Sequence, residues 1–385
     1  MKKKLSLIFV VLIAISLVLV TGCGGGTAPA DTGTSTDTGT TTDTGAATDN
    51  GTTTDTGTST DTGVDTSNAE VTIRMGAGTG ADNPMMTFME RFKEYAETQS
   101  NGRIAVQIYP FGQLGTNAQN VQAVSDGSVE MYMVPSNYWA AIVPGINAIT
   151  LPGLFDDSAH AIRGLKADTS NMFEADLNAA GVTCLGWCFL NDYILATNKD
   201  MSDISKLKGQ KIWSNPGPAY DGWLSAMGAT PSLVDVGEMV TSIQNGTLDG
   251  SYGGMSLFKP FNIQSVCKNL YVGPNVVGVF PVMANLKWLN GLPDDLKQIV
   301  IDGSNIVCYD GFGSYNSIYD YGAQYQIDAI ALAKGDGMNI IQPSDSDWTA
   351  MRAAMDSVTQ KALQDSPVLQ PYYDKLVPLA ASTKQ

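Results

Sequence analysis

Apolar and polar residues alternate along 104–109, and the same two-residue rhythm or a short apolar run returns at 71–75, 129–134, 182–190 and 211–214. Short runs of this kind, bounded by Gly, Pro, Asn or Asp, read as β-strands. Behind Asn83-Pro84 the rhythm changes, because Met85, Phe88, Met89, Phe92 and Tyr95 recur at helical spacing and predict a helix over 84–97. Further helices are predicted over 117–124, from near Ala219, and from Asp294-Asp295, where acidic residues suit the positive end of a helix dipole. Strand, turn, helix and strand in succession predict an α/β sheet covered by helices. Ligands gather in such sheets at loops beyond the carboxyl ends of strands, here 76–83, 134–139, 190–193, 213–216 and 251–255.

The longest apolar run, 5–20, has another character: it follows Lys2, Lys3 and Lys4 and stops at small residues, the layout of a secretory signal over 1–22. It falls short of the roughly 20 residues that span a bilayer. Val20-Thr21-Gly22-Cys23 resembles the lipobox of bacterial lipoproteins, which implies a diacylglyceryl group on Cys23 and an extracytoplasmic, membrane-anchored protein. After Cys23, up to residue 68, the chain is almost entirely Thr, Asp, Gly, Ser and Ala, with Asp31, Asp37, Asp43, Asp49, Asp55 and Asp61 evenly spaced. Without large apolar residues this stretch has nothing to offset the entropy of ordering, and it reads as a disordered tether with a reach on the order of 35–40 Å. A calcium-binding repeat would need a packed apolar position that is missing.

Composition narrows the function. With 22 Lys+Arg against 38 Asp+Glu the formal charge is −16, which disfavours nucleic acid as a partner. The single histidine, His160, beside Asp156, Asp157 and Arg163 in what reads as an exposed helix start, leaves little for a Ser-His-Asp relay or a zinc site. No catalytic residue, metal site or cofactor is expected. Cys184 and Cys188 lie in one apolar run and read as core thiols; a Cys267–Cys308 disulfide suits an exported protein, although nothing in the sequence requires it.

Spaced motifs then become recognisable. Ile108-Tyr109-Pro110 with Gln113-Leu114-Gly115, Asp126 to Glu130, and Leu151-Pro152-Gly153-Leu154-Phe155 resemble the first lobe of the substrate-binding subunits of tripartite ATP-independent periplasmic (TRAP) transporters. Leu207 to Ile212, Met227-Gly228-Ala229-Thr230-Pro231, Glu238, Gln244 to Gly250 and Leu292 to Leu296 are similar to the second. The resemblance runs from about residue 70 to the end of the sequence. It implies a two-lobed, periplasmic-binding-protein-like α/β fold, each lobe a β-sheet flanked by helices, with hinge crossovers: 69–190 plus 279–318 in lobe I and 191–278 plus 319–385 in lobe II. It also implies closure over a small organic solute and delivery to a small and a large integral membrane subunit.

One departure from the family bears on the ligand. The arginine that grips a carboxylate in the family follows the Gly-x-Lys-Ile motif; Trp213 stands there, and Tyr193 stands where a second arginine is often found. None of Arg74, Arg91, Arg103, Arg163 and Arg352 falls in the matched loops. The expected site is therefore aromatic: Tyr138, Trp139, Tyr193, Trp213 and Tyr252, with Asp192 nearby, Asn137, Asn215 and Ser136 to orient polar groups, and Gly78 and Thr79 where the first strand meets the cleft. One reading is that these rings select an amine or betaine. Another is a neutral or aromatic solute, or an organic acid whose carboxylate is held by Lys199, Lys259 or backbone N–H groups. A ligand-presenting sensor and a lipid-anchored hydrolase are the remaining alternatives.

Overall fold

Two β-sheets organise the chain. A computed structural model describes residues 62–384 apart from 82, 191, 274, 275 and 315, so Cys23 and all six evenly spaced aspartates lie outside the described residues. The first sheet holds β1 (Val71–Gly76), β2 (Ile104–Tyr109), β3 (Met131–Met133), β4 (Val182–Phe189) and β10 (Val279–Asn285). The second holds β5 (Tyr193–Thr197), β6 (Lys211–Trp213), β7 (Thr230–Ser232), β8 (Gly250–Gly254), β9 (Asn269–Tyr271) and β11 (Asn339–Ile341). Their orders are β2-β1-β3-β10-β4 and β11-β9-β5-β8-β6-β7, so the molecule is a two-lobed α/β protein.

Side-chain alternation builds a core on each face of each sheet. In β3, Met131 and Met133 join Ile73, Met75, Ile104, Val106 and Ile108 on one face, while Tyr132 packs on the other. In β5, Tyr193 and Leu195 face one core of the second lobe and Ile194 and Ala196 the other. Parallel strands β1 and β2 pair from Val71↔Ile104 to Gly76↔Tyr109, joined by the helix α1 (Pro84–Gln99). Asn83 caps α1 by accepting from the Met85 N–H at 2.8 Å, and Thr116 with Gln119 forms a capping box for α2 (Asn117–Asp126).

The chain passes between lobes from β4 to β5, from β9 to β10, and along the helix that starts at Ile318, since Ile318 lies in the first lobe's core while Tyr325, Ala329 and Ala333 lie in the second's. The first two crossings are tied to α3 (Ser158–Ala167): the Ser158 N–H donates to Asp192 Oδ1 at 2.9 Å, and Gly278 N–H donates to Ser158 Oγ at 2.7 Å. From α5 (Ile318–Gly335), which follows α4 (Asp294–Asn305), Gln326 completes the knot, accepting from the Asp192 N–H at 2.6 Å. Near the third crossing Cys188 is bonded to Cys308. This corrects the expectation for Cys188 and Cys308, while Cys184 and Cys267 are free thiols.

The last helices depart from the expected partition. α6 (Asp345–Asp365) starts in the second lobe, where Met351 and Met355 join the core, and ends on the first, where Thr359 Oγ1 donates to Pro152 O at 2.9 Å. The helix α7 (Gln370–Thr383) then packs Leu376 and Ala380 into the first lobe, although 319–385 was expected in the second. His160 explains part of this return. It is buried, with Nδ1 accepting from Asp156 N–H and Nε2 within 2.8 Å of Ala380 O, so it is a structural tie and its exposed-helix reading is corrected. Among the described residues no helix is long and apolar enough to cross a membrane.

Candidate functional site

The lobes meet across a cleft formed by the carboxyl ends of β1, β3, β6 and β8. After β1 the chain turns through Ala77 to Thr79, and at Gly78 a Cβ would lie 2.6 Å from Asn117 Oδ1, so a side chain there would displace the Asn117 amide. Asn83 follows, its amide held at the start of α1. A small cavity of about 40 Å³ lies between Gly78, Thr79, Asn83 and Asn117 of the first lobe and Tyr193, Trp213, Asn215 and Ser256 of the second. Tyr138, Val134, Pro135 and Leu257 also border it.

Among the described residues, three side-chain hydrogen bonds cross the cleft. Asn83 Nδ2 donates to Ser256 O at 2.8 Å, Asn137 Nδ2 to Pro216 O at 2.8 Å, and the Tyr138 hydroxyl to Asn215 Oδ1 at 3.2 Å. Asn215 also donates through Nδ2 to the Tyr193 hydroxyl, so one amide joins two phenols from opposite lobes. Burial raises both phenols above their ordinary range, and for Tyr193 the neighbouring Tyr220 and Tyr138 add to it. Both stay neutral and act as hydrogen-bonding groups.

None of the described residues bordering this cavity is charged. Each arginine is engaged elsewhere. Arg74 forms a two-pronged pair with Glu130, Arg103 bridges Glu70 and Asp295, Arg91 donates to Asn316 O, Arg163 reaches Tyr319 and Thr383 O, and Arg352 lies over the Trp348 ring. Lys199 pairs with Asp249 at 3.6 Å, and Lys259 is solvent-exposed and borders no part of the cavity. The donors that remain are neutral. Tyr132 O–H donates to Asn117 Oδ1 at 2.6 Å, and Asn117 Nδ2, with two N–H groups, serves the Tyr138 hydroxyl and has a second N–H to donate; Thr79 Oγ1 accepts from Asn83 Nδ2 at 3.3 Å, which leaves its own O–H to donate.

The structure brings together Gly78, Thr79, Tyr138, Tyr193, Trp213 and Asn215 of the expected site, with Asn137 bridging the cleft beside them. Trp213 is only 1 % exposed and its Nε1 donates to Val234 O at 2.9 Å, so one edge belongs to the second lobe's core. Three expectations are corrected. Trp139, one position beyond Tyr138 on a single helical turn, points into the first lobe's core. Tyr252 packs against Tyr193 and Trp223 inside the second lobe. Asp192 is buried in the crossover knot, and burial raises its carboxyl above the usual carboxylate range. Asn83, Asn117 and Ser256 were not foreseen as site residues. Asn83-Pro84 and Thr116-Asn117 are legible as helix starts, and it is their position at strand ends that aims them at the cleft.

Comparison with known proteins follows the same lines. The family model of bacterial extracellular solute-binding proteins, family 7, matches residues 75–365. The 2,3-diketo-L-gulonate-binding periplasmic protein of Escherichia coli is 23 % identical over 240 residues, 62 % of this chain and 73 % of that protein. A sugar acid binding protein of Advenella mimigardefordensis in complex with galactonate superposes with a TM-score of 0.74 at 19 % identity, covering 81 % of this chain and 98 % of the other. A TRAP periplasmic solute binding protein of Roseobacter denitrificans with bound β-D-glucuronate gives 0.73 at 19 % identity, covering 81 % and 100 %.

Proposed function

The chain belongs to family 7 of the bacterial extracellular solute-binding proteins, the substrate-binding subunits of TRAP transporters, and on that premise we propose that its cleft captures a small hydroxylated organic acid by lobe closure, without an arginine clamp. The observation that carries this reading is a cavity bordered by amides, hydroxyls and rings with no charged group among the described residues. In this reading the carboxylate sits against the Thr79 hydroxyl and Asn117 Nδ2, two neutral donors on neighbouring turns of the first lobe. Desolvated hydrogen bonds to a charged acceptor are about twice as strong as neutral ones, so two can replace part of what a guanidinium supplies. The relatives named for diketogulonate, galactonate and glucuronate support an acid of the sugar type.

An aromatic cage for an amine is less well supported. Such a cage needs several open ring faces and a carboxylate, but Trp139 and Tyr252 are spent in the cores and Asp192 in the crossover. The acid at Lys199 or Lys259 is also disfavoured, since neither borders the cavity. The protein binds and releases, with no reaction of its own. Attachment to the membrane through Cys23, a tether over 23–68 and delivery to a small and a large membrane subunit complete the proposal.

The test is thermal shift of the purified protein against galactonate, gulonate and glucuronate, with glycine betaine and aromatic amines alongside. At a hundredfold excess over its dissociation constant a true ligand adds about 2.7 kcal/mol to stability. The reading holds if sugar acids raise the melting temperature and Thr79→Val lessens the rise. It fails if only the amines do.

A further inference from the structure

Phenols and amides beside the cleft form one continuous chain of hydrogen bonds. Tyr132 donates to Asn117 Oδ1 at 2.6 Å, Asn117 Nδ2 serves the Tyr138 hydroxyl, and Tyr138 donates to Asn215 Oδ1 at 3.2 Å. Asn215 Nδ2 then donates to the Tyr193 hydroxyl, Tyr193 is hydrogen-bonded to Tyr220, and Tyr220 donates to Val277 O at 3.2 Å. The chain therefore runs from the first lobe's core, across the cleft, to the backbone of the crossing between β9 and β10.

Every hydroxyl and amide in it can either give or take a proton, so the sense of the chain is decided at its ends. A backbone carbonyl only accepts. Two oxygens compete for the Tyr220 proton, Val277 O and Thr150 Oγ1, because the Thr150 hydroxyl gives its own to Asn147 O at 3.2 Å. The Tyr220 oxygen is left to accept from Tyr193, and each link back to Tyr132 follows in the same direction. At the opposite end a single amide oxygen opposes this sense. Asn120, in hydrogen-bonding reach of Tyr132, commits its Nδ2 to Gly115 O and Thr116 O at 2.8 and 3.1 Å, while its buried Oδ1 has no partner. Reversal toward Asn120 would turn the Asn117 amide over and set its oxygen, in place of Nδ2, against the Tyr138 hydroxyl and the cavity.

Resting on the sugar-acid reading above, we propose that Tyr220 is a positioning residue that sets the polarity of the ligand site. It is 0 % exposed and does not border the cavity, so it acts through the chain and not by contact. Its commitment to Val277 O holds Asn117 with N–H groups toward the cavity, which lets an amide receive a carboxylate. Preference for the anion over its neutral amide comes from the direction of this chain.

Galactonate and galactonamide separate the cases, since they share chain length and hydroxyl configuration, and a carboxamide can meet either face of Asn117. Calorimetric titration of the purified protein should show Tyr220→Phe weakening galactonate by about tenfold, the worth of one hydrogen bond to a charged group, and galactonamide by less than about threefold. Galactonamide binding also reports that each variant is folded. On a Tyr138→Phe background, where the chain is cut at the cleft, Tyr220→Phe should change galactonate binding by less than about twofold. Unchanged galactonate binding in Tyr220→Phe, equal losses for the two ligands, or the full loss persisting on the Tyr138→Phe background overturns the positioning role and leaves the sugar-acid reading intact. If the wild type binds none of galactonate, gulonate and glucuronate, both fall.

Discussion

Tyr138 of the first lobe donates its hydroxyl to Asn215 Oδ1 of the second across 3.2 Å, while the same amide donates to Tyr193. One of the bonds across the closed cleft therefore rests on that amide, beside those of Asn83 to Ser256 O and Asn137 to Pro216 O. Tyr138→Phe removes a bond made only between lobes, and should weaken ligand binding by about 0.5–1.5 kcal/mol with little change in melting temperature. Asn215→Ala also strands the buried Tyr193 hydroxyl, at a cost to the fold of about 1–3 kcal/mol. Paired calorimetry and melting curves check both, and equal effects of the two variants on stability would contradict the assignment.

The Cys188–Cys308 bond spans 120 residues and lies at the base of the first lobe, one end at the close of β4 and the other just before the third crossing. Cross-links of this kind stabilise by about 2–4 kcal/mol, mainly by restricting the unfolded chain. Cys188→Ser should lower stability by an amount in that range, and dithiothreitol should do the same to the wild type but not to the variant. A reductant effect that persists in the variant would point to another pair.

Asp192 makes stability depend on pH. Burial raises its carboxyl in the folded protein above the unfolded value near 4, so between those two values the folded state binds more protons than the unfolded one. Stability contributed by the protonated group is then lost as pH rises through that window. Asp192→Asn should gain on the wild type over the same window by up to about 1.4 kcal/mol per pH unit. Denaturant melts at stepped pH from 4 to 7 decide it: parallel curves for the two proteins would remove Asp192 from the account.

Cys23 carries the membrane attachment in the proposal. Cys23→Ser should move the protein from the membrane fraction to the soluble one and stop its labelling by radioactive palmitate, without altering the melting of the lobes. Membrane retention of the variant would rule out a thiol-borne anchor.

Much of this fold could be read along the chain. The strand at 104–109 has the bounds expected of it, and helices begin where Asn83-Pro84, Thr116-Asn117 and Asp294 announce them. Local rhythm and caps carry that information. The site was harder, because a residue's loop can be read while its facing cannot. Tyr138 and Trp139 share one helical turn, yet one borders the cleft and the other is 0 % exposed in the core. Asp192 and His160 are defined by partners far along the chain, Ser158 with Gln326 and Ala380, which no local pattern names. The cysteine pairing is of the same kind: Cys308 bonds Cys188 across 120 residues, and connectivity of this sort is not deducible from spacing. Missing arginines, by contrast, were visible at once, and the lack of charge in the cavity follows from them.

A crystal structure of the protein with galactonate is the most direct measurement. The account predicts both carboxylate oxygens within about 3.2 Å of Thr79 Oγ1 and Asn117 Nδ2. A carboxylate seated on a lysine or arginine nitrogen would contradict it.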